Sequence, residues 1–290
     1  MGDRQNYISV PGGKVWYSIS GSTTNGSPLI IIHGGPGASH DYLAPLEELS
    51  DERPVVFYDQ LGCGNSDRPS DSSLWTVSRY VEELSVVVES LGFSEFNLLG
   101  QSWGCALAIE YCLTKRPKAL KSLILSAPLI SSPIWAEDQK RYVSLLPTSL
   151  RDIIVKCEEE MNYSNDEYQT AMMEFYRRHL CRMDEWPECM SLTFEKMNQE
   201  IYGFMWGPSE FTINGTLSDF DRTARLGEIS VPTLLTAGEF DEAAPTSVRH
   251  FASLIPNSRV EIFAGASHTH HLESQTSYIN LLREFLKTKI

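Results

Sequence analysis

The feature that most constrains the fold is a Gly-x-Ser-x-Gly segment at residues 100–104. An apolar run, residues 96–99, leads into it, and a helix-forming run, residues 106–113, follows it. Glycines on both sides of the serine permit a tight, strained turn in which strand and helix pack closely. The pattern therefore predicts a strand, a sharp turn and a helix, with the Ser102 hydroxyl and the Trp103 amide raised above the end of a sheet.

Apolar runs separated by turn residues recur on both sides of this segment. Continuous apolar runs are typical of strands buried on both faces of a mostly parallel sheet. They occupy residues 28–32, 54–58, 120–126, 233–238 and 260–263, with an alternating strand at residues 14–20. Apolar residues at helical spacing over residues 77–91, 247–254 and the C-terminal stretch predict helices between and after these strands. The fold class predicted is α/β.

The alternation of strands and helices stops at residue 128 and returns at about residue 220. The stretch between is mostly helical in pattern and richer in Met, Trp and Tyr. We therefore predict a helical cap domain at residues 129–219, inserted into a core domain formed by residues 1–128 and 220–290. Within the cap we expect Trp135, Trp186 and Trp206 to belong to its core rather than to line a pocket.

Composition narrows the choice of partners. The chain has 290 residues, 42% of them apolar, and a net charge of −14. Such a charge repels phosphates and argues against binding to nucleic acid. It suits a positively charged substrate, although the same acidity also serves solubility alone. No apolar stretch is long enough to span a bilayer, so no membrane association is expected.

The six cysteines show neither CxxC pairs nor the spacing of a metal site. The first residues lack the basic and apolar regions of a secretion signal. We therefore expect reduced thiols and a cytoplasmic location.

Two glycine-rich loops follow predicted strands before the serine turn. Residues 33–37, His-Gly-Gly-Pro-Gly, resemble the loops that supply the second oxyanion-hole amide in α/β-hydrolases. Glycines there let a backbone N–H approach a reacting carbonyl, so Gly35 and Trp103 are the candidate oxyanion-hole donors. Residues 59–67 superficially resemble a nucleotide-binding fingerprint, but the third glycine is absent and Arg68 precedes a proline. We interpret this second loop as structural and beside the active site.

Three polar residues stand just after predicted core strands, namely Ser102, Asp241 and His268. Their order along the chain is that of the α/β-hydrolase catalytic triad. His268 would take the proton of the weakly nucleophilic Ser102 and return it to the leaving group. Asp241 would fix the imidazole tautomer and stabilise the imidazolium. His268 and His270 could also suggest a metal, but no supporting ligands accompany them, so neither a metal nor another cofactor is expected.

Several of these stretches together resemble the proline iminopeptidases. The similarity rests on residues 33–37, 58–66 and 100–104, and residues 206–211 and 238–242 resemble the branch of tricorn-interacting aminopeptidases. The resemblance implies an α/β-hydrolase core with a helical cap. It also implies removal of one residue from a free peptide N-terminus, with Glu210 and Glu242 holding the substrate ammonium. Trp103 departs from the tyrosine that many relatives carry, and its bulk would reshape the pocket for the first residue.

The leading hypothesis is a serine aminopeptidase that releases an N-terminal proline or other apolar residue through an acyl-enzyme. Its partners would be short peptides or amino-acid amides with a free N-terminus, supplied by a larger protease system. An amino-acid amidase or esterase with the same machinery is the first alternative. A ligand-binding relative with little turnover is the second. A serine at the nucleophile position excludes the aspartate chemistry of dehalogenases and epoxide hydrolases with this fold.

Overall fold

A computed structural model describes residues 4–22 and 26–287 of the chain. Within these residues the strands are β1 (Arg4–Val10), β2 (Gly13–Ser20), β3 (Leu29–Ile32), β4 (Val55–Tyr58), β5 (Phe96–Gln101), β6 (Leu120–Ser126), β7 (Thr233–Gly238) and β8 (Ser258–Phe263). They form a single sheet in the order β1-β2-β4-β3-β5-β6-β7-β8. β1 pairs with β2, and β2 with β4, in antiparallel fashion. All further neighbours in this order, from β4 through β3 to β8, pair in parallel. The prediction of a mostly parallel α/β sheet is confirmed.

The helices of the described chain cover both faces of this sheet and one end of it. They are α1 (Val77–Leu91), α2 (Trp103–Lys115), α3 (Ser132–Ser144), α4 (Thr148–Glu159), α5 (Asp166–His179), α6 (Glu188–Lys196), α7 (Gln199–Met205), α8 (Pro245–Leu254), α9 (His270–Glu273) and α10 (Gln275–Lys287). A 3₁₀ segment, Asp41–Asp51, lies between β3 and β4.

Strand β3 shows why the apolar runs are continuous rather than alternating. Ile30 and Ile32 pack into the core beneath α1, α2 and α8, whereas Leu29 and Ile31 pack against Asp41–Asp51 and α10. Successive side chains of a strand point to opposite faces, so a strand covered on both faces must be apolar at every position. All four β3 residues are fully buried.

Five helices, α3 to α7, stand between β6 and β7. The first three, α3 to α5, share an apolar core around Tyr168 and Phe175, whereas α6 and α7 pack their buried residues into the clusters on the two faces of the sheet. The connections into and out of this region run side by side, joined by an isolated antiparallel bridge between Ser131 and Asp221. The amide of Ser132 donates to the carbonyl of Phe220 at 2.8 Å. The division into domains at residues 128/129 and 219/220 stays a prediction.

Strand β1 was not expected from the sequence. It is an edge strand whose residues 5–7 and 9 are exposed and whose residues 8 and 10 are buried, and in the described sheet it pairs with β2 alone. No helix in the described ranges is both long and apolar enough to cross a membrane. Residues 1–3, on which the expectation about a secretion signal partly depends, lie outside the described residues.

Candidate active site

Ser102 occupies the turn between β5 and α2 with backbone angles of φ 55° and ψ −121°. A positive φ is strained for a residue with a side chain, and such strain is maintained only where surrounding contacts hold it. The Ser102 amide donates to the carbonyl of Ser126 at 3.0 Å, and its carbonyl accepts from the amide of Cys105 at 2.9 Å. A Cβ atom on Gly104 would lie 2.2 Å from the carbonyl oxygen of Ile32, so this position requires glycine.

Asp241 and His268 follow β7 and β8 and are in direct contact. His268 Nδ1 lies 2.8 Å from Asp241 Oδ1, and the same oxygen accepts from the amide of Ala243 at 2.8 Å. The other oxygen accepts from the amide of Gly238 at 3.1 Å. Burial opposes ionisation of Asp241, but the charge and hydrogen bond of His268 outweigh it and lower the pKa of Asp241 to about 2. Asp241 is therefore an ionised acceptor that orients the imidazole ring.

One cavity brings most of the predicted site residues together. Its empty volume is about 920 Å³ including the opening, and Ser102, His268, Gly35, Glu210 and Glu242 all line it. Asp241 lies behind His268, away from the cavity. Among the hydrogen bonds of the described residues, none joins Ser102 to the His268 ring. Ser102 and His268, the candidate nucleophile and base, thus face the same space without a direct hydrogen bond.

The loop at residues 33–37 is held in a conformation that only glycine accepts readily. Gly35 has φ +110°, and a Cβ atom there would lie 2.6 Å from the amide nitrogen of Gly37. The Gly34 amide donates to the hydroxyl of Tyr42 at 2.8 Å, and that hydroxyl donates to the side-chain oxygen of Gln101. The loop is therefore fastened to the strand that ends in Ser102.

Gln60 was missed by the sequence reasoning, which took its loop as merely structural. Its side-chain nitrogen donates to the carbonyl of His33 at 2.9 Å, and its side-chain oxygen accepts the indole N–H of Trp103 at 2.9 Å. Its own amide donates to Nε2 of His33 at 3.0 Å. One glutamine thus connects the two segments that carry the candidate oxyanion donors, Gly35 and Trp103.

The expectation that Trp103 reshapes the pocket is wrong. Its side chain is fully buried under the sheet, packs edge-to-face on Tyr80 and does not line the cavity. The bulk of the indole therefore serves the core and the bond to Gln60, while only the backbone of Trp103 is placed beside Ser102.

Two of the three cap tryptophans are buried in the apolar core, as expected, and line the cavity as well. Trp135 and Trp206 line the cavity and pack edge-to-face with ring centroids 5.9 Å apart. Trp135 also contacts the His268 ring at 5.9 Å between centroids. Trp186 stacks on Phe194, which lines the cavity. A local pattern could not distinguish these roles, because the surface that a cap helix buries depends on the core beneath it.

Glu210 and Glu242 enter the cavity from the cap and from the turn after β7. Glu210 Oε1 accepts from the hydroxyl of Tyr202 at 2.6 Å. Glu242 Oε1 lies 3.4 Å from His268 Nε2, and its Oε2 is buried without a hydrogen-bond partner. Burial raises the pKa of both carboxyl groups. The negative charges of Glu210 and Asp241 raise the pKa of Glu242 further.

His270 does not form part of a metal site. Its Nε2 lies 3.1 Å from the Ser126 hydroxyl and 2.9 Å from that of Thr236. Across residues 4–22 and 26–287, no group of three His, Cys, Asp or Glu side chains is placed to hold a metal ion.

Known proteins were compared with the chain at the level of family, sequence and structure. A family model described as the alpha/beta hydrolase fold matches residues 27–275. The proline iminopeptidase of Heyndrickxia coagulans is 41% identical over 285 residues, which cover 98% of this chain and 99% of that relative.

Two crystal structures share the whole architecture. VinJ has a TM-score of 0.94 at 33% identity, covering 99% of both chains. The proline iminopeptidase of Mycobacterium smegmatis has a TM-score of 0.91 at 33% identity, covering 98% of this chain and 97% of its own. The more specific resemblance to the tricorn-interacting branch stays a prediction. The chain belongs to the α/β-hydrolase fold family and, within it, to the family of the proline iminopeptidases.

Proposed function

We propose that the protein is a serine aminopeptidase that releases an N-terminal proline, or another apolar residue, from short peptides with a free amine. The observation that carries this proposal is the placement of two carboxyl groups, the half-buried Glu210 and the buried Glu242, in the cavity that also contains Ser102. A buried anion needs an opposite charge, and the ammonium of a peptide N-terminus supplies one. The names of the relatives support the choice of proline.

In the proposed reaction Ser102 Oγ attacks the carbonyl carbon of the first residue while His268 Nε2 takes the hydroxyl proton. The amides of Gly35 and Trp103 would stabilise the oxyanion that forms. His268 then gives the proton to the leaving amine, which departs as the shortened peptide. Water, activated by the same histidine, hydrolyses the acyl-enzyme and restores Ser102. Asp241 holds the ring and stabilises the imidazolium in both halves of the reaction.

The cavity also limits the size and chemistry of the substrate. The aromatic rings of Trp135, Trp206 and Tyr176 line it together with the carboxylates, which favours an apolar first residue beside the amine. An acidic or acylated N-terminus would leave the two carboxylates without a counter-charge. A larger protease as the source of the peptides, and a cytoplasmic setting, belong to this proposal. The six cysteines, which form no disulfide with one another, are compatible with that setting.

The test is a panel of aminoacyl arylamides, aminoacyl amides and aryl esters, each with a free and with an acetylated amine. We expect free-amine substrates to be cleaved and acetylated ones to be cleaved at least about a hundredfold more slowly, because an uncompensated buried charge costs several kcal/mol. Ser102→Ala should abolish turnover, with a loss of at least about 10⁴-fold in kcat.

Three results would replace the proposal by its alternatives. Equal cleavage of acetylated substrates or simple esters would indicate an esterase. Cleavage of aminoacyl amides but not of peptides would indicate an amino-acid amidase. Binding of free-amine ligands without turnover would indicate a receptor built on the hydrolase fold.

A further inference from the structure

The atom of His268 that must accept the serine proton faces a carboxylate instead. Nδ1 is bound to Asp241, so Nε2 is the nitrogen left for Ser102. In the structure Nε2 lies 3.4 Å from Glu242 Oε1, and both side chains are almost entirely buried. The other oxygen of Glu242 has no partner. His268 and Glu242 thus form a buried contact between a base and an acid. The second oxygen of Glu242 can still accept a hydrogen bond from a cation.

The groups around this pair favour keeping a proton on it. Asp241 lies on one side of His268, and Glu210 faces the pair from the loop after α7. Burial opposes a charge on the imidazole, but Glu242, Asp241 and Glu210 outweigh it and raise the pKa of His268 to about 9. Burial also raises the pKa of Glu242.

The other titratable side chains named near the pair are phenols and histidines. Tyr176 from α5 and Tyr202 from α7 are half-buried phenols whose pKa values are raised by burial and by Glu210. His271 from α9 has its pKa lowered to about 3 by burial and is neutral. His270, also from α9, has its Nδ1 3.6 Å from Asp241 Oδ2, the oxygen that does not contact His268, and it does not contact Glu242.

We propose that Glu242 prevents His268 Nε2 from accepting the proton of Ser102 until a substrate ammonium binds. The enzyme then selects a free N-terminus because the amine activates catalysis, and not only because it binds. The inference rests on the proposed function, because it takes the ammonium of the substrate to bind at Glu210 and Glu242. It assigns Glu242 a specificity-determining role through His268.

The protons balance as follows. In the resting state the pair carries one proton, on Nε2 facing the ionised carboxylate or on Glu242 facing the Nε2 lone pair. Either arrangement leaves no lone pair for Ser102. When the ammonium binds between the two carboxylates, it supplies the positive charge, and the proton of the pair leaves to solvent. Nε2 is then neutral and free to accept the proton of Ser102.

A simple electrostatic clamp makes a different prediction. If Glu242 only bound the amine, its removal would weaken amine substrates and leave amine-free substrates unaffected. If Glu242 also restrains His268, its removal must accelerate an amine-free substrate of the same shape. The two readings therefore differ in the sign of one measurement.

The experiment compares the p-nitrophenyl esters of proline and of cyclopentanecarboxylic acid, which replaces the proline nitrogen by carbon. For the wild type, the carbocyclic ester should be cleaved slowly at pH 7. Its rate should rise about tenfold per pH unit between pH 5.5 and 8 without levelling, because a base with a pKa near 9 is almost fully protonated there.

Glu242→Gln keeps the size of the side chain and removes its charge. We expect it to accelerate hydrolysis of the carbocyclic ester at least about tenfold at pH 7. The rate of this hydrolysis should also reach a plateau between pH 5.5 and 8, because the pKa of His268 is lower in the variant. The same change should lower kcat/KM for the prolyl ester about a hundredfold. Glu210→Gln, which does not touch His268, should weaken the prolyl ester with a smaller gain on the carbocyclic one.

A second measurement avoids the Glu242 substitution and any effect that it has on folding. Prolinamide is titrated into Ser102→Ala by calorimetry at pH 7 in buffers of different ionisation enthalpy. The proposal expects release of close to one proton per ligand bound. Binding with no proton release contradicts it.

Failure of the inference differs from failure of the proposed function. If the wild type prefers the prolyl ester but Glu242→Gln leaves the carbocyclic ester unchanged or slower, the aminopeptidase stands and the gating is wrong. If the wild type cleaves both esters equally well, the amine is not recognised and both are wrong.

Discussion

The two sides of the cavity differ in how completely their polar groups are paired. On the oxyanion side, Gln60 uses its amide and both side-chain ends on His33 and Trp103, and the Gly34 amide is bound to Tyr42. On the carboxylate side, one oxygen of Glu242 has no partner. The polar groups of the first side are thus bonded within the protein, whereas the second side keeps a buried acceptor oxygen that no group of the described chain pairs.

The contrast suggests which part of the reaction each side serves. Oxyanion stabilisation works best when donors are already fixed before charge develops, because no reorganisation is then needed. A site recognises a cationic ligand best when the protein supplies no cation of its own there, because the ligand then pairs with the carboxylates. A polar network that is fully bonded is rigid, and a carboxylate pair without a counter-ion is costly until it is filled.

Among the substitutions that test this difference between the two sides of the cavity, the one at Gln60 is expected to have the largest effect. Gln60→Leu removes the acceptor of the Trp103 indole and the donor to the His33 carbonyl, so the two oxyanion segments lose their link. We expect kcat for prolyl arylamides to fall about a hundredfold with KM nearly unchanged, as for the loss of an oxyanion-hole donor. Steady-state kinetics measure both quantities.

Gln275→Leu is the matched control, because Gln275 is exposed at the start of α10. It should leave kcat unchanged. A Gln60 variant that raised KM and kept kcat would show that this residue acts on binding, and the proposed division between the two sides would be wrong.

On the carboxylate side, Glu158 of α4 supports the loop that carries Glu210. Its Oε1 accepts from the hydroxyl of Ser209 at 2.7 Å and from that of Tyr168, and its Oε2 accepts from the hydroxyl of Thr212. Ser209 and Thr212 flank Glu210 in sequence. Glu158 thus fixes the backbone on both sides of a substrate-binding candidate that it does not touch.

Glu158→Gln keeps the shape but cannot accept all three hydroxyl bonds. We expect KM for prolyl arylamides to rise about tenfold, as for the loss of a charged hydrogen bond, while kcat changes little. The carbocyclic ester should be unaffected, which a general loss of structure would not allow. Glu159→Gln, on the exposed next residue of α4, should leave both substrates unchanged.

The sequence predicted those parts of the fold and of the candidate site that depend on local pattern. Ser102, Asp241 and His268 each follow a strand of the parallel sheet, which brings the ends of its strands to one edge. Gln60 also follows a strand, β4, but nothing in its own loop indicates which groups it bonds, and Glu158 lies within helix α4. Their partners lie far away in sequence, 43 residues for Gln60 and Trp103 and 54 for Glu158 and Thr212.

The tryptophans also show that local sequence pattern does not predict which surroundings a side chain will have. A single aromatic residue in a cap helix gives no indication of which neighbour it will meet, so Trp135 and Trp206 were predicted as cap core. The bulk of Trp103 was judged by its place beside the serine, but the turn at Ser102 directs that side chain under the sheet. Edge strand β1 was not predicted because most of it is exposed and its apolar residues are few.

The smallest expected effect concerns stability. Burial and the neighbouring carboxylates raise the pKa of Glu242 above the value of 4.5 that it has when unfolded. The pair that Glu242 forms with His268 holds one proton, and the pKa of His268 is raised from 6.5 to about 9. Between these pH values the unfolded chain releases a proton that the folded protein retains, so the free energy of unfolding falls as pH rises through this range. Glu242→Gln removes this dependence and should stabilise the protein at pH 8 by on the order of 1 kcal/mol.

Urea unfolding at pH 5 and pH 8 measures the difference, with Glu137→Gln on the exposed face of α3 as the control that should change neither value. A Glu242 variant that lost activity on prolyl substrates without gaining stability at pH 8 would mean that the carboxylate is already neutralised in the resting protein. Because the proton of the pair can reside on either partner, such a result would contradict the expected cost to stability and would leave the gating to be decided by the carbocyclic ester. A gain in stability together with a loss of amine selectivity would show that the unpaired charge is retained for recognition at the expense of the fold.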